Sequence, residues 1–166
     1  NRFVLLLLSA ACLASSGCDR SHKLIIATDA TYPPFETLDK TGQFTGADID
    51  MGRELANYLK KDVELQILNC DGLIAALKSG SVDVVISAMT VNEDRRKSID
   101  FSDPYVKTGL ALLVSTKSPV KGLEDLKAPG RRVVVRLGTT GEQFAKEFLP
   151  DTERVSLDTD TACVLE

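Results

Sequence analysis

The chain has 166 residues, of which 43% are hydrophobic and 27% charged, with a formal net charge of −4. Those values describe a folding globular chain of one domain or slightly more and exclude collagenous or disordered classes. With 20 Lys and Arg against 24 Asp and Glu, nucleic acid is not expected as a partner, because phosphate binding needs a basic face. The four cysteines (Cys12, Cys18, Cys70 and Cys163) show no CxxC spacing and the single histidine is His22, so no metal site is expected.

In chain order, the first element is an address. Phe3 to Ala14 reads FVLLLLSAACLA, twelve positions behind Arg2, too short for the ~20 residues that span a bilayer but suited to a signal-peptide core. Small residues Ser15, Ser16 and Gly17 precede Cys18. That arrangement resembles a bacterial lipoprotein signal, with Cys18 as the lipidated residue, although Ser15 stands where such signals carry Leu. A plain secretory signal cut near Gly17 fits the same residues, and both alternatives export the protein. Residues 1–17 are therefore read as a leader and 18–22 as a short tether.

Lys23–Thr28 (KLIIAT) is then a short strand ended by Asp29 and the turn Tyr32-Pro33-Pro34-Phe35. A tight turn follows at Asp39-Lys40-Thr41-Gly42. Helical spacing of Ile49, Met51, Leu55, Ala56 and Leu59 predicts a helix, and the alternation of Val63 to Ile67 a half-buried strand. Asp71 is expected to cap a helix through Leu77 that stops at Gly80. Val82–Ser87 is apolar apart from Asp83 and reads as a strand; Asn92 caps a short charged helix from Glu93 to about Ser98. Thr108–Ser115 (TGLALLVS) reads as a buried strand, Leu123–Leu126 as one helical turn and Arg131–Leu137 as a strand. Gly138-Thr139-Thr140-Gly141 opens a helix through Phe148, and Val155–Leu157 with Thr159–Glu166 begin another strand and helix. The apolar face left where the sequence stops, at Leu165-Glu166, predicts a truncated protein.

Alternating strands and ten-residue helices imply an α/β fold with mostly parallel sheets, in which ligands sit beyond the carboxyl ends of strands. Those ends carry Asp29 and Tyr32; Cys70; Ser87, Ala88 and Thr90, with Arg95 beyond the helix cap; and Arg136 followed by Thr139 and Thr140. The Arg95 guanidinium with neighbouring hydroxyls and amides suits a carboxylate. The start of the helix after Gly138 favours an anion, and Asp29 suits a cation. Together they describe a receptor for a zwitterion. Each residue also has a plainer structural role open to it. Arg95, beside Arg96 and Lys97, fits a solvated helix face, Asp29 a turn cap, and the GTTG loop a simple helix start; lacking GxGxxG, that loop implies no dinucleotide cofactor. Cys70 and Cys163 fall in different halves and are expected as free thiols.

The segments TDATYPPFE (28–36), GADID (46–50), SAMTVNEDR (87–95), IDFSDPY (99–105) and VRLGTTG (135–141) resemble, in this order, the periplasmic solute-binding proteins that deliver polar amino acids to ABC transporters. The pattern is similar to glutamine-, histidine- and lysine/arginine/ornithine-binding members. The resemblance implies a two-lobed periplasmic-binding-protein-like (type II) fold: lobe 1 at 23–104, a hinge at 105–109, and an incomplete lobe 2 at 110–166. It implies that Asp29 contacts the ligand's side chain or amino group and Tyr32 packs over it. Ser87, Ala88, Thr90 and Arg95 would hold the α-carboxylate and α-amino groups, and Arg136, Thr139 and Thr140 would close from the second lobe. Cys70 departs from the family, which carries a bulky aromatic there.

The implied partners are an amino acid, an ABC permease and the membrane through a lipid anchor; the implied state is a monomer at the periplasm or cell surface, and no catalysis. Two alternatives share the fold. A cyclohexadienyl dehydratase-like enzyme would need an acid or base in the cleft, for which Glu142 and Asp29 are the nearby carboxylates. The third reading is the sensory domain of a receptor kinase or lytic transglycosylase. Asp29 suits a basic ligand and Arg136 opposes one, so the expected ligand is a polar amino acid of no narrower class.

Overall fold

The computed structural model describes residues 22–166; the expected leader at 1–17 and Cys18 lie outside them. The first strand, β1 (Lys23–Thr28), is central to a parallel sheet ordered β5-β1-β6, with β5 at Asp62–Ile67 and β6 at Val84–Val85. Its unbroken apolar run follows from cover on both faces. Leu24 and Ile26 pack with Ala56 and Leu55 of one helix, Ala47–Tyr58, while Ile25 and Ala27 pack with Leu73, Ala76 and Leu77 of a second, Leu73–Ser79. We denote these α1 and α2. Between β1 and α1 lies an antiparallel meander of β2 (Thr31–Tyr32), β3 (Glu36–Leu38) and β4 (Phe44–Thr45). The turn at Asp39–Gly42 joins its last two strands: the Asp39 carboxylate accepts from the Thr41 and Gln43 amides at 2.7 and 3.0 Å.

After β6 come α3 (Glu93–Arg96), capped by the Asn92 side chain, and α4 (Leu123–Leu126). A second parallel sheet pairs β7 (Arg132–Arg136) with β8 (Glu153–Leu157); α5 (Thr140–Phe148) lies between them in sequence and α6 (Asp160–Leu165) follows. Val120, Leu126 and Leu149 bury together against Val133 and form the core of this half. The α/β class and its parallel sheets match the expectation.

Several elements differ. Thr108–Ser115 forms no strand and is exposed throughout, Leu113 among the most, because no described strand lies alongside to accept its backbone bonds. The expected turn at 32–35 is present, closed by the Phe35 amide donating to the Tyr32 carbonyl at 2.9 Å, and the strands it joins, β2 and β3, were not expected. β6 is shorter than 82–87: the Asp83 side chain accepts from the Ile25 amide at 2.9 Å, so it terminates the ladder. Asp71 does not cap α2, whose N-cap position is Gly72, without a side-chain cap bond; Gly80 ends it in the left-handed conformation, as expected. Cys70 and Cys163 are free thiols. Among the described residues no helix is long and apolar enough to cross a membrane, and no cluster could hold a metal ion.

Candidate functional site

The carboxyl ends of β1, β5, β6 and β7 bring most of the expected residues to one place. Asp29, just past β1, is 5% exposed. Its carboxylate accepts from the Thr31 hydroxyl and pairs with the Arg136 guanidinium from the end of β7. The same Arg136 donates through Nε to the Asp158 carbonyl at 3.1 Å and through Nη1 to Asp160 at 3.2 Å. Residues more than a hundred positions apart are thus joined by charge.

Arg95 is the second bridge. The Asn92 cap accepts from its amide at 2.9 Å, which sets the start of α3 and turns the side chain inward. Arg95 is 6% exposed whereas Arg96 and Lys97 are exposed, so the solvated-face role belongs to its neighbours. Its Nη1 donates to the Thr90 carbonyl at 2.8 Å and its Nη2 to the Gly138 carbonyl at 2.9 Å. Thr90 therefore contributes its backbone rather than its hydroxyl. No described carboxylate pairs with Arg95, whose pKa is lowered by burial. A buried guanidinium held only by carbonyl dipoles is short of a counter-ion.

Gly138 closes the junction. It adopts φ +75°, and a Cβ there would lie 2.7 Å from both the Asp71 Cα and nitrogen, so only glycine allows the β7–α5 loop to reach the end of β5. Its carbonyl also receives the Cys70 thiol, with Sγ at 3.7 Å. Burial pushes that thiol up, against the pull of Arg95 and Arg136. A further link runs from the Asn92 side chain to Gln143 at 2.8 Å.

Thr139 caps α5: its hydroxyl accepts from the Glu142 amide at 3.3 Å and donates to the Arg136 carbonyl at 2.7 Å. The amides of Thr140 and Gly141, at the start of this nine-residue helix, have no acceptor among the described residues, leaving the positive end of the helix dipole free. Replacing the cap, Thr139→Ala, is expected to lower stability by about 1 kcal/mol, read as a shifted urea midpoint with an unchanged slope.

Tyr32 stays half-exposed and stacks on Phe35, ring centroids 5.4 Å apart. Ser87 and Ala88 do not present their donors to the junction. The Ser87 hydroxyl accepts from the Asp29 amide at 3.1 Å and donates to Glu36 at 2.8 Å; the Ala88 amide donates to Asp48 at 2.6 Å. This exposes a network that sequence reasoning missed. Glu36 and Asp48 are each 1% exposed, and one oxygen of each lacks a partner among the described residues. Burial and the neighbouring Asp48 carboxylate push the Glu36 carboxyl up to about 8. At that value Glu36 keeps its proton at neutral pH, and a hydrogen bond from it to Asp48 accounts for both orphaned oxygens. The other Asp48 oxygen accepts from the Tyr105 hydroxyl at 3.0 Å, and burial with that carboxylate pushes the phenol up. The signal was present in the helical period: Asp48, Gly52 and Ala56 share the buried stripe of α1.

Comparison with known proteins follows the same line. Residues 24–152 match the family model of bacterial extracellular solute-binding proteins, family 3. The arginine-binding extracellular protein ArtP of Bacillus subtilis is 37% identical over 157 residues, which cover 89% of this chain and 60% of that protein. The L-cystine-binding protein TcyJ of Escherichia coli is 33% identical over 139 residues, covering 82% of this chain and 52% of that one. Among solved structures, the ancestral amino acid-binding protein AncCDT-1, a precursor of cyclohexadienyl dehydratase, is 42% identical with a TM-score of 0.82; the match covers 88% of this chain and 65% of that one. The chain thus spans about half to two thirds of the length of these relatives.

Proposed function

The chain belongs to the bacterial extracellular solute-binding proteins of family 3, and from that premise we propose that it captures a polar amino acid between its two halves and delivers it to an ABC importer. One observation carries the proposal: the 6%-exposed Arg95, tied to both halves by carbonyls and paired with no carboxylate among the described residues. A ligand carboxylate supplies the missing counter-ion, and the free Thr140 and Gly141 amides at the start of α5 add a second anion-favouring group beside Gly138. Ser87, Ala88 and Thr90 act by holding the strand-end backbone in position, Tyr32 by covering the ligand, and Cys70 by leaving space where a larger side chain would stack.

Lobe 1 is assigned to 23–104, the hinge to 105–109 and lobe 2 to 110–166, so that a ligand bridging the lobes favours the closed state. Export by residues 1–17, a lipid anchor at Cys18 and a monomeric state complete the reading. The relatives above are named for binding arginine, cystine or an amino acid, which supports a receptor over an enzyme. So does Glu142. Against burial, which raises its pKa, the Lys146 ammonium, the Gly138 amide and the Ser156 hydroxyl hold its carboxyl below the ordinary value, and an anchored carboxylate is a poor proton donor.

A thermal-shift titration against the twenty amino acids tests the proposal. At about a hundred times its Kd, a bound amino acid is expected to add about 2.7 kcal/mol of stability. Absence of a shift with every amino acid, or turnover of prephenate or arogenate, overturns it.

A further inference from the structure

We propose that Arg136 is a built-in competitor for Asp29, and that it excludes amino acids with cationic side chains and reserves the site for a neutral polar one. The inference rests on the receptor reading above and narrows its ligand. Asp29 is the only carboxylate among the residues expected to meet the ligand, and Arg136 already occupies it. Arg136 is not free to swing away. Its side chain is 9% exposed and is held on three sides, by Asp29, by the Asp158 carbonyl at 3.1 Å and by Asp160 at 3.2 Å.

A lysine or arginine ligand would have to displace Arg136, anchored by its other two contacts, from Asp29. It would then leave a buried guanidinium beside its own positive charge, with Arg95 as a second like charge nearby; the Cys70 thiol feels both guanidinium groups. Coulomb repulsion at short range and low exposure is steep. Asp160 cannot substitute as the buried counter-ion, since its side chain is 53% exposed. A neutral amide side chain meets no such conflict: it brings no charge and accepts hydrogen bonds from the guanidinium N–H groups that remain. Charge, not shape, does the selecting here, so the selectivity should follow the charge at position 136.

Calorimetric titration with L-glutamine, L-lysine and L-arginine tests this on the full chain and on Arg136→Gln and Arg136→Lys. The unaltered protein is expected to bind glutamine at least ten times tighter than lysine or arginine. In R136Q the affinity for arginine should rise at least tenfold, about 1.4 kcal/mol, while R136K keeps the original order. An unaltered protein that prefers arginine, or an unchanged ratio in R136Q, overturns the inference and leaves the receptor reading standing. No binding of any amino acid to any of the three proteins overturns both. Should R136Q fail to fold, Asp29→Asn answers: a freed Arg136 should then draw L-glutamate in tenfold tighter, whereas unchanged glutamate affinity counts against the competitor role.

Discussion

Arg95→Met is expected to abolish the ligand-induced thermal shift while leaving the ligand-free melting point within a few degrees of the unaltered protein. The two halves of that expectation come from the same geometry. Each charge-assisted hydrogen bond to a carboxylate contributes about 1.5–3 kcal/mol when shielded from water, so losing a forked pair lowers affinity at least about a hundredfold. Stability changes little because Arg95 has no carboxylate partner among the described residues to leave behind. The substitution strips donors from the Thr90 and Gly138 carbonyls but also removes an uncompensated buried charge, and the two effects oppose one another. Arg95→Lys keeps the charge and loses the fork, so it should fall between the two. A thermal shift of undiminished size in Arg95→Met would sink the assignment. Collapse of the ligand-free protein would instead make Arg95 a structural tie.

What could be read from the residues alone depended on the range of the interactions that decide each feature. β1, α1, the Asn92 cap, α4 and the opening of α5 in the 138–141 loop were legible because local period and local capping chemistry determine them. Thr108–Ser115 has the apolar composition of a strand, yet composition supplies no neighbour, and a strand without one has no ladder. The meander escaped notice because two- and three-residue strands are too short to display a period. Asp83 broke an apolar run for a reason found 58 positions away, at the Ile25 amide. Within the site, the residue types and their strand-end positions were visible, but their pairings were not. Arg95, Arg96 and Lys97 are equivalent as letters; contact with Gly138, 43 positions on, distinguishes the first. Asp29 and Arg136 were placed at the site one by one, and their pairing with each other was not foreseen.

Glu36→Gln is expected to remove a pH dependence that the unaltered protein carries between pH 5 and 8. When folded, Glu36 keeps its proton up to about 8; unfolded, it releases it near the ordinary 4.5. Between those values folding takes up a proton, so this group's contribution to stability is complete below 4.5 and is lost as the pH rises through 8. One proton limits the slope to about 1.4 kcal/mol per pH unit. Glu142, whose carboxyl is held low, contributes with the opposite sign, but only in acid below the ordinary carboxylate range. Glutamine reproduces the protonated carboxyl: its amide can donate to the orphaned Asp48 oxygen and its carbonyl can accept from Ser87 without any proton to lose. Urea midpoints at pH 5, 6, 7 and 8 should therefore fall steadily in the unaltered protein and stay level in E36Q, which should be the more stable of the two at pH 8. Because Asp48 also holds Tyr105 at the start of the proposed hinge and Ser87 holds the Asp29 amide, ligand affinity should weaken along with stability at high pH, and less so in E36Q. Parallel slopes for the two proteins would mean that the buried pair holds no proton.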